Sequence, residues 1–344
     1  MRLVFSSRYE LDIGAHVFPT DKYRMVYERL IETGLAQPGD FHEPSEPDPA
    51  DLRLVHHDDY VEDLLELRWS PRTVRSELPL SEEIVGGFFL HAAGTILACR
   101  FGLEDGVAMH IGGGFHHAFP DHGEGFCYIN DVAVGIRKML TERLITRAAV
   151  IDCDLHQGNG TARVFQGDPA VYTFSIHQER LYPIKEESDW DIGLDDETDS
   201  DAYLKRLGPA VPRILNEQKP ELVVYIAGAD PYQHDQLGSL RLTKRGLALR
   251  DRMVIEGCYR RGIPVVPVLA GGYALDTNDT VDIHVNTVRE CLRVLGQLPP
   301  RPEPAAMPEG ESELRASDFE PQAGPGVVDD SPLAVEPPRE DASR

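Results

Sequence analysis

Residues 148–160 read Ala148-Ala149-Val150-Ile151-Asp152-Cys153-Asp154-Leu155-His156-Gln157-Gly158-Asn159-Gly160. An unbroken apolar run gives way at once to carboxylates, an imidazole and glycines. A run without polar alternation is how a strand of a parallel sheet reads, because both of its faces are covered. The pattern recurs along the chain. Val107-Ala108-Met109 runs into His110-Ile111-Gly112-Gly113-Gly114-Phe115-His116-His117. Leu222–Ile226 runs into Ala227-Gly228-Ala229-Asp230, and Val265–Leu269 into Ala270-Gly271-Gly272-Tyr273. Val171–Phe174 is a further apolar run, and helical patterns over Ile129–Glu142, Asp201–Gln218 and Leu242–Arg261 fill intervals between runs. Strand and helix in alternation specify an α/β fold around a largely parallel sheet.

In open sheets of this kind ligands bind beyond the carboxyl ends of the strands, so the four polar endings are expected to converge. Asp152-x-Asp154-x-His156 places two carboxylates and an imidazole just past a buried strand, which is costly unless something satisfies them. A divalent metal does so, since aspartate oxygen and histidine nitrogen are common zinc ligands. A surface loop whose aspartates cap the next helix is the plain alternative. Asp230 alone reads as a helix cap, a salt-bridge partner or a ligand; Gly228 before it favours close backbone approach. His116-His117 after three glycines is either a solvated pair or one that divides base and acid roles. Tyr273 is either a half-buried aromatic or a phenol that donates to a developing oxyanion.

The whole chain has 344 residues, enough for one large domain or two ordinary ones. Its formal net charge of −24 lacks the basic footprint of a nucleic-acid binder. That charge suits a cationic substrate such as a lysine-rich peptide or polyamine, and equally serves solubility. Five widely spaced cysteines with no CxxC pair indicate neither a disulfide framework nor a structural zinc module, and fit a reducing cytoplasm. Met1-Arg2-Leu3-Val4-Phe5 leads directly into acidic sequence, unlike a signal peptide. No run reaches the roughly 20 apolar residues of a membrane span. Residues 1–298 read as the folded unit. From 299 the composition changes: residues 301–344 hold 8 prolines and 11 acidic residues against 4 arginines. Such a segment buries too little surface to offset its ordering entropy and is expected to be a disordered tail.

Five motifs occur in the order and manner of one family. His116-His117, Gly125-Phe126-Cys127-Tyr128-x-Asn130-Asp131, Asp152-x-Asp154-x-His156-x-Gly158-x-Gly160, Gly228-Ala229-Asp230 and Gly271-Gly272-Tyr273 resemble the histone deacetylase superfamily across about residues 14–295. His16-x-x-Pro19 and His56-x-x-x-Tyr60 are similar to its N-terminal motifs. The resemblance implies the arginase–deacetylase fold, a single domain with a central parallel sheet sandwiched by helices. It also implies hydrolysis of an acylated lysine or small acylated amine, with zinc, or alternatively ferrous iron, at Asp154, His156 and Asp230. His116 would pair with Asp152, His117 would act as general base toward the zinc-bound water, and Tyr273 would polarise the scissile carbonyl. Gly125, Phe126 and Tyr182 would wall a narrow tunnel for the acyl-lysine stem. Potassium would sit by Asp152 and Ser175 with backbone oxygens of Asp154, His156 and Ile176.

Gln157 and Asn159 depart from the histidine and aspartate of the class I enzymes, and with Leu181-Tyr182-Pro183 they are closer to class IV and its bacterial relatives. By the resemblance, Asn159 would leave His117 with a neutral partner. No residue within Pro71–Glu83 is matched to the family's peptide-gripping acidic residue. Two other classes stay open: an arginase-like ureohydrolase, whose additional metal ligands are not seen, and an inactive acyl-lysine binder, which would not need the full set of motifs.

Overall fold

Hydrogen bonding joins the apolar runs into one eight-stranded sheet in which every strand pair is parallel. The computed structural model describes residues 1–298 except Pro47, so the acidic segment expected as a tail lies outside the described residues. In chain order the strands are β1 (Leu3–Val4), β2 (Phe41–His42), β3 (Met109–His110), β4 (Ala148–Asp152), β5 (Val171–Gln178), β6 (Trp190–Leu194), β7 (Leu222–Ile226) and β8 (Val265–Val268). Their spatial order is β2-β1-β3-β8-β7-β4-β5-β6. The inner strands β4, β7 and β8 are buried at every position, as their continuous apolar sequence requires.

The helices are α1 (Lys22–Glu32), α2 (Pro49–Leu52), α3 (Asp58–Leu65), α4 (Glu82–Asp105), α5 (Asp131–Thr141), α6 (Asn159–Phe165), α7 (Ser200–Gln218), α8 (Lys244–Tyr259) and α9 (Thr277–Val294). One group joins α4 to α5, with α4 lying on β1, β3 and β8; a second runs α7, α8, α9 and α1. Side-chain caps decide where the anticipated helices begin. Asn130 Oδ1 accepts from Ala133 N at 3.0 Å, so α5 starts at Asp131 rather than Ile129. Asp199 caps α7 and Thr243 caps α8 in the same way, and α8 therefore begins two residues later than its pattern suggests.

The largest departure from the sequence reading is α4. By length and mean hydropathy this 24-residue helix would be apolar enough to cross a membrane, although its uncharged stretch, residues 84–99, stays short of the roughly 20 residues that a span needs. In the fold, 67% of its apolar window is buried, and the helix is a core element. Such a helix has no polar face because it packs on the sheet and on α5. All five cysteines are buried and free.

Candidate active site

Four neighbouring strands, β3, β8, β7 and β4, end at one place. Asp152 ends β4, and beyond it lie Asp154 and His156; beyond β7, Asp230; beyond β8, Gly271 and Tyr273; and beyond β3, His116 and His117. All of these except Gly271 and Tyr273 are buried. Ligand atoms of Asp154, His156 and Asp230 lie within 4.8 Å of one another. His156 Nδ1 is 3.3 Å from Asp154 Oδ1 and 3.2 Å from Asp230 Oδ2. Main-chain N–H groups orient the carboxylates: Leu155 N donates to Asp230 Oδ1 at 2.9 Å, and Gly271 N to Asp154 Oδ2 at 2.9 Å.

This donor set fits a divalent cation. Burial and the neighbouring charge of Asp154 push the Asp230 carboxyl up to about 7, a strain that a cation between the two relieves. A Cβ at Gly228 would overlap Asp154 Oδ2, and one at Gly271 would overlap Asp230 Oδ2, so only glycine leaves the ligand oxygens in place. Two carboxylates and one imidazole leave coordination positions open, as catalytic zinc and ferrous sites require.

The adjacent histidines occupy opposite electrostatic states. His116 Nδ1 lies 2.7 Å from Asp152 Oδ2. Burial opposes its charge, but the carboxylates of Asp152 and Asp154 outweigh burial and push its pKa up to about 9. His117 Nδ1 lies 2.7 Å from Asn159 Oδ1. Burial, reinforced by His116 and His156, drives its pKa well below the usual value, so this ring is neutral. Two titratable groups with their pKa values driven apart are the pattern of an acid and a base.

Tyr273, Phe126, Gly125 and Tyr182 line the opening above His117 and His156. Phe126 lies 6.1 Å from the Tyr273 ring, and Tyr182 lies 5.3 Å from His117. Burial and the charges of Asp230 and Asp154 hold the Tyr273 phenol well above its usual pKa and hence protonated. Ser175 pairs in register with Asp152 on the neighbouring strand, and Ile176 follows it. The weak N-terminal motifs brace the site: His56 Nδ1 lies 2.9 Å from Phe119 O, Tyr60 donates to Tyr128 O at 2.7 Å, and His16 packs edge-on to Phe126 at 4.6 Å.

Several residues that sequence reasoning did not single out belong here. Glu77 lines the opening, within the segment where no acidic match was found. Glu124 accepts from Asn159 Nδ2 at 2.8 Å. Lys22 is buried, donates to Ala270 O at 2.6 Å and is lowered to about 8 by burial, against the pull of Asp230 and Asp154. Arg250 is fully buried and donates to Cys153 O at 3.0 Å and Gly228 O at 2.6 Å, pinning the ends of β4 and β7. None of them is a motif residue, although Glu124 directly precedes Gly125-Phe126, so only burial and contact expose what they do.

Residues 16–288 match the model of the histone deacetylase domain family. The chain is 42% identical over 271 residues to an uncharacterised protein of Picosynechococcus sp., covering 78% of this chain and 90% of that one. It is 30% identical over 286 residues to histone deacetylase 2 of Arabidopsis thaliana (79% and 74% covered). A probable deacetylase of Archaeoglobus fulgidus is 30% identical over 301 residues (80% and 81% covered).

Proposed function

Because the chain belongs to the histone deacetylase family, and is on that footing a deacetylase, we propose that it uses a divalent cation at Asp154, His156 and Asp230 to hydrolyse N-acylated amines. The observation that carries this is the histidine pair, His116 against the carboxylate of Asp152 and His117 against the amide of Asn159, beside a buried three-ligand nest. Zinc is the ion proposed, with ferrous iron the alternative. When bound, the ion supplies Lewis acidity toward the carbonyl and lowers the pKa of water.

The remaining chemistry belongs to side chains. His117, neutral, takes the proton of the attacking water. His116, held charged by Asp152, faces the developing negative charge and supplies a proton to the departing amine. Tyr273 donates its phenolic hydrogen to the oxyanion formed from the carbonyl. Phe126 and Tyr182 hold the apolar stem of the substrate. Potassium at Asp152, Ser175 and the backbone oxygens of Asp154, His156 and Ile176 would brace the loop that carries the ligands.

Acyl-lysine is the proposed substrate. Glu77 and Glu124 beside the opening and the chain's net charge of −24 favour a cationic amine, which also supports acylated polyamines or other small amides as a second reading. Zinc-loaded protein assayed on acetyl-lysine, longer acyl-lysine, acylpolyamine and small amides is expected to turn over at least one class. Chelation should abolish that turnover and zinc should restore it. Asp230→Asn should lose metal occupancy; turnover that survives full metal removal overturns the reading.

A further inference from the structure

The neutral partner of His117 raises a problem of orientation. An asparagine amide presents an oxygen on one side and a nitrogen on the other, and can turn either toward its neighbour. If the nitrogen faced His117, the ring would have to accept at Nδ1 and would carry its proton on Nε2. The structure contains the group that decides between these arrangements. Asn159 Nδ2 lies 2.8 Å from Glu124 Oε1, and an ionised carboxylate can only accept. The amide nitrogen is therefore turned to Glu124, and Asn159 Oδ1 faces His117 Nδ1 at 2.7 Å. His117 must then donate from Nδ1, which leaves Nε2 with the free lone pair.

Glu124 is itself held in place. Arg75 Nη2 lies 2.8 Å from Oε2, His122 Nε2 is 3.4 Å from the same oxygen, and Tyr182 donates to Oε1 at 3.3 Å. Burial pushes the carboxyl pKa up, but the nearby His122 ring, the bond from Asn159 and the charge of Arg75 outweigh it and keep the group ionised. Its side chain is 13% exposed and that of Asn159 is buried, so water does not compete freely for either.

We infer that Glu124 is a positioning residue which, through the amide of Asn159, locks His117 in the Nδ1–H tautomer. The inference rests on His117 acting as the base. Glu124 takes over the orienting task that a carboxylate at 159 would perform alone, and it also ties the tunnel wall at Tyr182 to the same hydrogen-bonded chain.

Two measurements on zinc-loaded protein test this. In protein labelled with ¹⁵N-histidine, the ring nitrogen shifts of His117 should report a single Nδ1–H tautomer in the parent and a mixture in Glu124→Met. Kinetically, Glu124→Met should lower kcat by about tenfold to a hundredfold, the range typical of outer partners at metal sites. Glu124→Gln, which retains an acceptor, should lose less. Asn159→Asp should be impaired beside the intact Glu124 by like-charge repulsion, and adding Glu124→Met should restore it, because an aspartate orients His117 unaided. An accessory stabilising role for Glu124 would not yield that mutual suppression. An unchanged tautomer in Glu124→Met, or two single defects that add in the double variant, overturns the inference. If no amide is turned over by any variant, the proposed activity fails, and the ring nitrogen shifts still decide the role of Glu124.

Discussion

Tyr273 is the residue on which transition-state stabilisation is most exposed to test. Its phenol is kept protonated by burial and by Asp230 and Asp154, and its backbone is anchored by donation from Tyr273 N to Asp235 Oδ2 at 2.8 Å. The ring lies among Phe18, Phe126 and Lys22, so deleting the hydroxyl leaves the packing intact. Tyr273→Phe should therefore fold and bind metal normally while losing turnover by about a hundredfold to a thousandfold, the usual cost of one oxyanion donor. KM should change far less, since the interaction belongs to the transition state. Steady-state kinetics on the best substrate would check it; near-native kcat would reduce Tyr273 to a wall of the pocket.

Among the elements, α8 has the most direct mechanical link to the site. Its Arg250 passes beneath the sheet ends to reach Cys153 O and Gly228 O, the carbonyls just ahead of the loops that carry Asp154 and Asp230. Asp251 balances the charge at 2.8 Å and accepts in turn from Tyr225 at 2.6 Å and Thr287 at 2.6 Å. This network joins α8, β7 and α9. Arg250→Met would leave the Asp251 carboxylate buried without its cation and two carbonyls without donors. Loss of one partner of a buried pair costs about 3–5 kcal/mol. Denaturant unfolding of the metal-free variant should show that loss, and a cost below about 1 kcal/mol would mean that the network relaxes.

The molecule as a whole should lose stability in mild acid through histidines buried in the neutral form. His56 is the clearest case, because both ring nitrogens are engaged: Nδ1 donates to Phe119 O, and Nε2 accepts from Asn130 N at 3.1 Å. Burial lowers its pKa to about 4, against an unfolded value of 6.5. Above 6.5 the ring is neutral in both states and its stabilising contribution is whole. As the pH falls from 6.5 to 4, the unfolded chain takes up a proton that the folded chain refuses. Stability is lost through that window, on the order of 3 kcal/mol if the shift is fully expressed. The slope of unfolding free energy against pH should be steeper in the parent than in His56→Gln between pH 6.5 and 4. Equal slopes would assign the acid sensitivity to other groups.

The parallel α/β architecture was legible in the sequence because strands covered on both faces must be apolar throughout, and Leu222–Ile226 and Ala148–Ile151 are. The convergence of His116, His117, Asp154, His156, Asp230 and Tyr273 could be anticipated because each follows the carboxyl end of such a strand. Element boundaries were less legible, since α5 and α8 begin where Asn130 and Thr243 find backbone donors, a matter of local geometry. The helix α4 was missed because a helix that is apolar around most of its circumference lacks the 3.6-residue alternation that marks a half-exposed one. Tertiary structure alone decided the rest of the site. Glu124, 35 residues from Asn159, and Arg250, 97 residues from Cys153, reach the site through hydrogen bonds across the fold. A hydrogen bond depends on where two atoms finally lie, and no pattern of neighbours along the chain records that for residues so far apart.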